Sequence, residues 1–385
     1  MKRILAVLLV ACAFAATMVG CGGGQSSAKQ DIKIGFIGPL TGTNAKPGAS
    51  MRQGMQLAID EINAAGGING HKLVGIYEDD ETNATKGVAA AEKLVNKDDV
   101  DLVIGSYSSA SVMAHMKVTE KAGVPQIVPV AVGIAITESG NQWIFRNCAT
   151  NPMQVNQLAD FITANYPFKR FAVIHENTDY GKGIAEVFVK NVKDKGLEIL
   201  ATEAYNPGET DFYAQLTKIK NLKPDALLIG GNLTEGSQIT RQAREVGIQA
   251  QLLGLGGLST PEFDKLANGS NEDMIVTSYF ESETANPLAK KFIEAYMKKY
   301  NADPDMFAAA TYEAVYIAAE AMKNAGPKGS DKAAWRTKVR DALRALKDLP
   351  GVQGPTTFDQ KGQAKKDVYI VQWKNHKKVI LFPKN

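Results

Sequence analysis

The stretch Val103-Ile104-Gly105-Ser106-Tyr107-Ser108-Ser109-Ala110-Ser111 holds the densest set of groups that could do chemistry. An apolar run stops at a glycine, and a serine-rich segment follows as a helical pattern opens. Free backbone N–H groups at a helix start, with hydroxyls beside them, form a receptor for a carboxylate. Hydrogen bonds to a charged acceptor contribute roughly 1.5–3 kcal/mol each, enough to orient a small ligand. Serine also caps helices with no ligand involved, so the local residues leave both readings open.

Catalysis finds less support. The chain has no G-x-S-x-G elbow, no H-E-x-x-H and no Walker-type G-x-x-x-x-G-K-[ST]. After the first apolar run stands Gly38-Pro39-Leu40-Thr41-Gly42-Thr43, which is not a dinucleotide-binding G-x-G-x-x-G. The four histidines, His71, His115, His175 and His376, are not spaced as a metal pair. His115 on a helix and His376 in a charged terminal turn read as structural or solvated, and His175 at a strand end as packing. Asp79-Asp80-Glu81 reads as a turn and helix start rather than a metal site. Without a nucleophile, base and orienting group, the chain is expected to be no enzyme and to use no metal or cofactor.

Stepping outward, the elements that would position the serine segment alternate. Ile32 to Leu40 is a short apolar run ending in Gly-Pro, as a buried strand should. Met51, Met55, Ala58 and Ile62 then mark one helix face, stopped by Gly66-Gly67-Ile68-Asn69-Gly70. Strands are expected at 73–78, 102–105 and 126–130, with helices near 85–95 and 112–122. A second series after Asn147 has strands near 171–175, 199–205, 226–230 and 252–254, and helices near 183–193, 212–222 and 236–246. Helices near 288–300, 306–324 and 331–346 follow, and strands at 368–373 and 379–382 close the chain. Two such βαβ series mean two doubly wound parallel sheets, an α/β fold of two lobes. Ligands of open α/β sheets sit beyond the carboxyl ends of the strands, and two facing lobes create a cleft there.

Length and composition agree with this. The 385 residues suffice for two domains, and 44% hydrophobic with 22% charged residues is a globular composition. Lys+Arg 44 against Asp+Glu 41 gives +3, too little for a nucleic-acid binder. Lys2 and Arg3 precede an uncharged stretch from Ile4 to Gly20, which reads as a signal peptide over residues 1–20. Met18-Val19-Gly20-Cys21 looks like the lipobox of bacterial lipoproteins, a resemblance that implies cleavage before Cys21 and lipid on its thiol. Residues 21–30, beginning Cys21-Gly22-Gly23-Gly24-Gln25-Ser26-Ser27, suit a flexible tether. Loss of Lys2 and Arg3 takes the net charge from +3 to +1. Of three cysteines only Cys148 would remain unmodified, so no internal disulfide is expected.

Several motifs together resemble the leucine/isoleucine/valine-binding protein family of ABC-transporter solute-binding proteins, the type I periplasmic-binding fold. They are Gly35-Phe36-Ile37-Gly38-Pro39-Leu40-Thr41-Gly42, Ala65-Gly66-Gly67-Ile68-Asn69-Gly70, Tyr77-Glu78-Asp79-Asp80, the serine segment, Phe145-Arg146, Asp179-Tyr180-Gly181-Lys182-Gly183 and Gly230-Gly231. The resemblance implies an exported, lipid-anchored and monomeric clamp, hinged by several crossovers, that hands a small-molecule ligand to ABC permease subunits. Lobe 1 would comprise residues 31–148 and about 279–352, lobe 2 residues 149–278 and about 353–385. Ser109, with Ala110 and neighbouring N–H groups, would hold the ligand carboxylate. Ala131 and Val132 would line the pocket from lobe 1, and Tyr180, Asn232, Gly256 and Phe280 would complete it.

At three positions the chain departs from the family pattern. Val132 stands where members that bind α-amino acids usually have threonine, Gly256 where an acid often meets the ligand ammonium, and Asn151 where aspartate is common. Leaving a buried charge without its partner costs roughly 3–5 kcal/mol. Either the ligand is then a keto or aromatic acid with no α-ammonium, or Asp179, Glu235 or Glu281 supplies the charge. The leading expectation is uptake of a branched-chain or related amino acid; a ligand sensor serving a separate signalling receptor is the other use of the same clamp.

Overall fold

A computed structural model describes residues 30–283 and 285–383; the expected signal peptide and nearly all of the expected tether lie outside the described residues. The first sheet holds five parallel strands, β1 (Ile32–Gly38), β2 (Leu73–Asp79), β3 (Leu102–Gly105), β4 (Gln126–Val128) and β5 (Ile144–Arg146), in the order β2-β1-β3-β4-β5. The second holds seven: β6 (Arg170–Glu176), β7 (Glu198–Tyr205), β8 (Ala226–Gly230), β9 (Gln251–Gly254), β10 (Ile275–Ser278), β11 (Tyr369–Lys374) and β12 (Lys377–Phe382). Its order is β12-β11-β10-β9-β8-β6-β7. Strands β6 to β10 are parallel, and the closing hairpin β11-β12 adds antiparallel to β10. The second sheet is thus mixed at one edge, because a two-residue turn at Asn375-His376 permits only antiparallel pairing.

The central strands are apolar throughout because helices cover both sheet faces. Strand β1, Ile-Lys-Ile-Gly-Phe-Ile-Gly, is buried at all but one position. The helix Ala45–Ala64 buries the face foretold by Met51, Met55, Ala58 and Ile62. It packs on the helix Met306–Asn324 so closely that a β-carbon on Gly54 would stand 2.1 Å from the Ala308 carbonyl oxygen. Glycine is the residue that permits that approach. The helices Pro287–Tyr300, Met306–Asn324 and Lys332–Ala345 all join the core of the first lobe, although they follow the second lobe in sequence.

Elements also stand where none was expected, among them the short strands β5 and β10, the short helices Ala135–Glu138 and Pro261–Ala267, and the longer helix Asn151–Asn165. This last helix starts at a Thr150 cap and buries Val155, Leu158, Ala159 and Ile162 against β6 in the second lobe. At three and four residues, β5 (Ile-Phe-Arg) and β10 (Ile-Val-Thr-Ser) lack the continuous apolar run that marks β3. One boundary also moves. Residues 353–368, expected in lobe 2, contribute Phe358, Ala364 and Val368 to the core of the first lobe. Burial of those apolar side chains is the reason, and an almost wholly buried ion pair between Lys366 and Glu313 on the helix Met306–Asn324, at 2.6 Å, fixes where the segment lies. Among the described residues Cys148 is a free, buried thiol, pushed up to about 12 by desolvation. No helix among the described residues is long and apolar enough to cross a membrane.

Candidate ligand-binding site

The carboxyl ends of β3, β4, β6, β8 and β9 converge on a cleft of about 130 Å³ between the lobes. The first lobe contributes Tyr107, Ser108, Ser109, Ala110, Val130 and Val132, and the second Glu176, Thr178, Tyr180, Asn232, Gly256 and Gly257. Tyr279, Met306 and Phe307 close the apolar end.

The serine segment divides its duties. Ser108 is the N-cap of the helix Ser109–Lys121, its hydroxyl accepting the Ser111 N–H at 3.3 Å. Ser106 and Ser111 donate to the buried Asp80 carboxylate at 2.5 and 2.6 Å, and Asp80 also accepts the Thr82 N–H at 3.1 Å. Burial pushes the Asp80 carboxyl above its ordinary range, while those hydroxyls pull it back. Ser108 and Ser109 both line the cleft, and of the two Ser109 is free of capping duty. Its Oγ accepts the Gly133 N–H at 3.0 Å, which leaves its proton free to donate. The capping reading thus holds for Ser108, and Ser109 stands in the cleft wall with a hydroxyl proton to offer.

Behind the Ala131–Gly133 loop lies Arg146, fully buried. Its guanidinium donates to the Gly133 carbonyl at 2.5 Å, the Ala131 carbonyl at 3.4 Å and the Thr137 hydroxyl at 2.9 Å, and its Nε to Gln363 at 2.6 Å. Burial brings its pKa down to about 10. Arg146 thereby fixes the loop that in turn fixes Ser109.

The opposite wall carries an acid that the sequence reading passed over. Glu176 ends β6 and lines the cleft, and its Oε2 accepts Asn232 Nδ2 at 2.8 Å and the Thr178 hydroxyl at 3.3 Å. Both bonds fall on Oε2, leaving Oε1 for a ligand. Asn232 in turn accepts the Tyr107 hydroxyl at 3.0 Å, a hydrogen bond from lobe to lobe. Burial, with the like charge of Glu235 beside it, pushes the Glu176 carboxyl up to about 7. Glu235 itself is buried, takes the Gly208 N–H at 3.1 Å on Oε1, and has no partner for Oε2. Glu176 sits next to His175, whose strand-end position was noted, so the rule that strand ends carry ligands could have found it.

Of the residues expected in the pocket, Ser109, Ala110, Val132, Tyr180, Asn232 and Gly256 do line the cleft. Ala131 and Phe280 do not. Ala131 is buried with its carbonyl turned to Arg146, and its neighbours Val130 and Val132 line the wall instead. Phe280 packs edge-on to Phe292 at 5.8 Å and borders a second hollow, leaving Tyr279 in the cleft. A β-carbon on Gly256 would come 2.8 Å from the Met306 methyl, so the methionine fills the space beside this glycine. Asn151 acts as a hinge bolt: its N–H donates to the Val132 carbonyl at 3.0 Å and its Nδ2 to the Tyr180 carbonyl at 3.2 Å. Among the candidate acids, Glu281 pairs with Lys378 at 2.8 Å away from the cleft, and Asp179 is exposed on the helix Asp179–Asp194. His175 packs its Nδ1 2.9 Å from the Glu176 carbonyl, in keeping with a structural role.

The arrangement sets hydroxyl and helix-start N–H groups opposite a carboxylate, with apolar walls between. Such an arrangement has the chemical complementarity that a small zwitterion requires. Comparison with known proteins agrees. Residues 31–378 match the family described as periplasmic binding protein. The chain is 34% identical, over 94% of each chain, to a leucine-, isoleucine-, valine-, threonine- and alanine-binding protein of Pseudomonas aeruginosa. It is 33% identical to a Leu/Ile/Val-binding protein homolog of Brucella melitensis, over 97% of this chain and 99% of that one. Among solved structures, the branched-chain amino acid transporter substrate-binding protein LivJ of Streptococcus pneumoniae, in complex with isoleucine, superposes with a TM-score of 0.84 at 32% identity, covering 90% and 97% of the two chains. Fold, cleft and kinship converge: this chain belongs to the Leu/Ile/Val-binding family of non-catalytic ABC-transporter solute-binding proteins, with the type I periplasmic-binding fold.

Proposed function

We propose that the protein is the exported, lipid-anchored binding component of an ABC uptake system, and that it delivers a branched-chain or closely related amino acid to the permease. The observation that carries the ligand class is Glu176 in the cleft wall across from Ser109. Ser109 and the first N–H groups of its helix receive the ligand carboxylate, Glu176 meets its ammonium, and the apolar walls hold its side chain. The loop at Gly256 carries no acid, which favoured a keto or aromatic acid; an acid on β6 answers that objection. Lobe-to-lobe hydrogen bonds from Tyr107 to Asn232 and from Thr234 to the Thr43 carbonyl at 3.1 Å support closure by hinge motion. The lipid anchor rests on Met18-Val19-Gly20-Cys21 and is tested by mass spectrometry of the membrane-bound protein.

Calorimetry with leucine and its keto-acid analogue tests the reading. Leucine is expected to bind more tightly; a keto acid bound better than any amino acid overturns the assignment. Ser109→Ala is expected to weaken leucine roughly 10- to 150-fold, the loss of one hydrogen bond to a charged group. Ser109→Leu should abolish capture outright, and unchanged binding by both variants would remove the carboxylate from this end.

The two ligand classes also respond oppositely to pH. The ammonium requires ionised Glu176, whose carboxyl titrates near 7 in the free protein, so binding below that value must expel a proton. Leucine affinity should therefore be flat above about 7 and fall by up to about tenfold per pH unit below it. A ligand without the ammonium prefers protonated Glu176 and should bind better as pH falls. Titrations between pH 5 and pH 8 in buffers of different ionisation heat would count the proton.

A further inference from the structure

Met306 opens the helix Met306–Asn324 and separates two hollows. On one side is the ligand cleft; on the other is a hollow of about 360 Å³ whose walls include Phe280, Trp373, Ile380 and Ser259. Met306 lines both. Its sulfur lies 3.9 Å from the Ser259 hydroxyl in the second hollow, and its methyl stands 2.8 Å from where a β-carbon of Gly256 would be in the first. The side chain thus spans from one wall to the other, as an unbranched thioether with no strong polar tie.

Placing the ligand as proposed above fixes where its side chain goes. With the carboxylate at Ser109 and the ammonium at Glu176, the remaining direction leads to Tyr279, Phe307 and Met306. We propose that Met306 is a specificity-determining residue: it is the septum that limits ligand side-chain length, and its removal joins both hollows into one site for amino acids with long aromatic side chains. This inference rests on the amino-acid reading of the cleft. The lining of the second hollow mixes charged groups with the aromatic Phe280 and Trp373, and these two rings set the class: Phe280, absent from the cleft as it stands, would become a pocket residue once the methionine is withdrawn.

The test is calorimetry on the full chain with leucine, phenylalanine and arginine. Met306→Ala should bind phenylalanine at least tenfold more tightly than wild type does and leucine several-fold less tightly, whereas Met306→Leu should keep the wild-type order. Adding Ser259→Trp to Met306→Ala fills the second hollow and should erase the gain. If Met306→Ala does not fold, Met306→Val is the readout, with a smaller gain expected and no gain counting against the septum. Leucine bound by wild type and variant alike, with no gain for phenylalanine, overturns this inference alone. A gain for arginine in place of phenylalanine overturns the aromatic class, since Glu281, Glu283 and Asp303 also border the hollow. Wild type that ignores every amino acid overturns the ligand assignment and this inference together.

Discussion

Glu176→Gln should cost the protein most of its affinity for leucine while leaving it folded. Truncating one member of a buried, hydrogen-bonded charge pair costs about 2–5 kcal/mol in binding, which is roughly 30-fold to several-thousand-fold in Kd. The amide keeps the shape of the carboxylate and can still accept from Asn232, so the Tyr107–Asn232 link between lobes persists. Affinity for the keto acid should be unchanged or improved, because that ligand brings no cation to pair. Stability moves the other way. Burial and Glu235 raise the Glu176 carboxyl in the folded state, so its ionised form opposes folding above its ordinary range. The neutral glutamine removes that repulsion, and the variant should melt at the same temperature or higher at pH 8. Calorimetry gives the first result and thermal denaturation the second. Leucine bound equally well by variant and wild type would mean that the ammonium lies elsewhere in the cleft.

The largest stability effect is expected at Lys366, far from the ligand. Its ammonium meets Glu313 at 2.6 Å and donates to the Thr356 hydroxyl at 2.7 Å, in a site closed to solvent. Glu313 also accepts the Gln353 N–H at 2.7 Å, so the pair pins the segment 353–366 to the helix Met306–Asn324. Lys366→Met leaves Glu313 buried without a counter-charge, a change that costs about 3–5 kcal/mol. At roughly 2–4 °C per kcal/mol for a chain somewhat smaller than this one, the melting temperature should fall by about 5–20 °C. Lys366→Met with Glu313→Leu should regain most of the loss, since a well-packed apolar pair replaces a buried ion pair at little cost. A single variant that melts like wild type would show that water reaches Glu313. The segment carries Gln363, which holds Arg146 and through it the Ala131–Gly133 loop, so the single variant should also bind leucine more weakly.

How far these effects were foreseeable differs between fold and site. Strands β1, β2, β3 and β8 and the helix Met306–Asn324 announce themselves through apolar runs and helical spacing, and the structure places them at or within a residue or two of those marks. The short strands β5 and β10 carry no period, and membership of residues 353–368 in the first lobe comes from contacts with segments distant in sequence, among them an ion pair between residues 53 positions apart. In the site, Ser109 was legible because a glycine, a serine cluster and a helix start coincide along the chain. Glu176 was less plain: its strand-end place makes it one candidate among several acids, and only β8 bringing Asn232 against it singles it out.

The sequence alone therefore determined the two-lobed α/β class and the family, and it marked the serine segment that lines the cleft, because each is written in contiguous residues whose local preferences agree. Tertiary structure alone decided that Glu176 enters the cleft wall, that Ala131 and Phe280 turn away from the cleft, and that a methionine divides two hollows. Burial, like-charge repulsion and the width of a cleft arise between segments distant in the chain, and they exist only once the lobes are packed together.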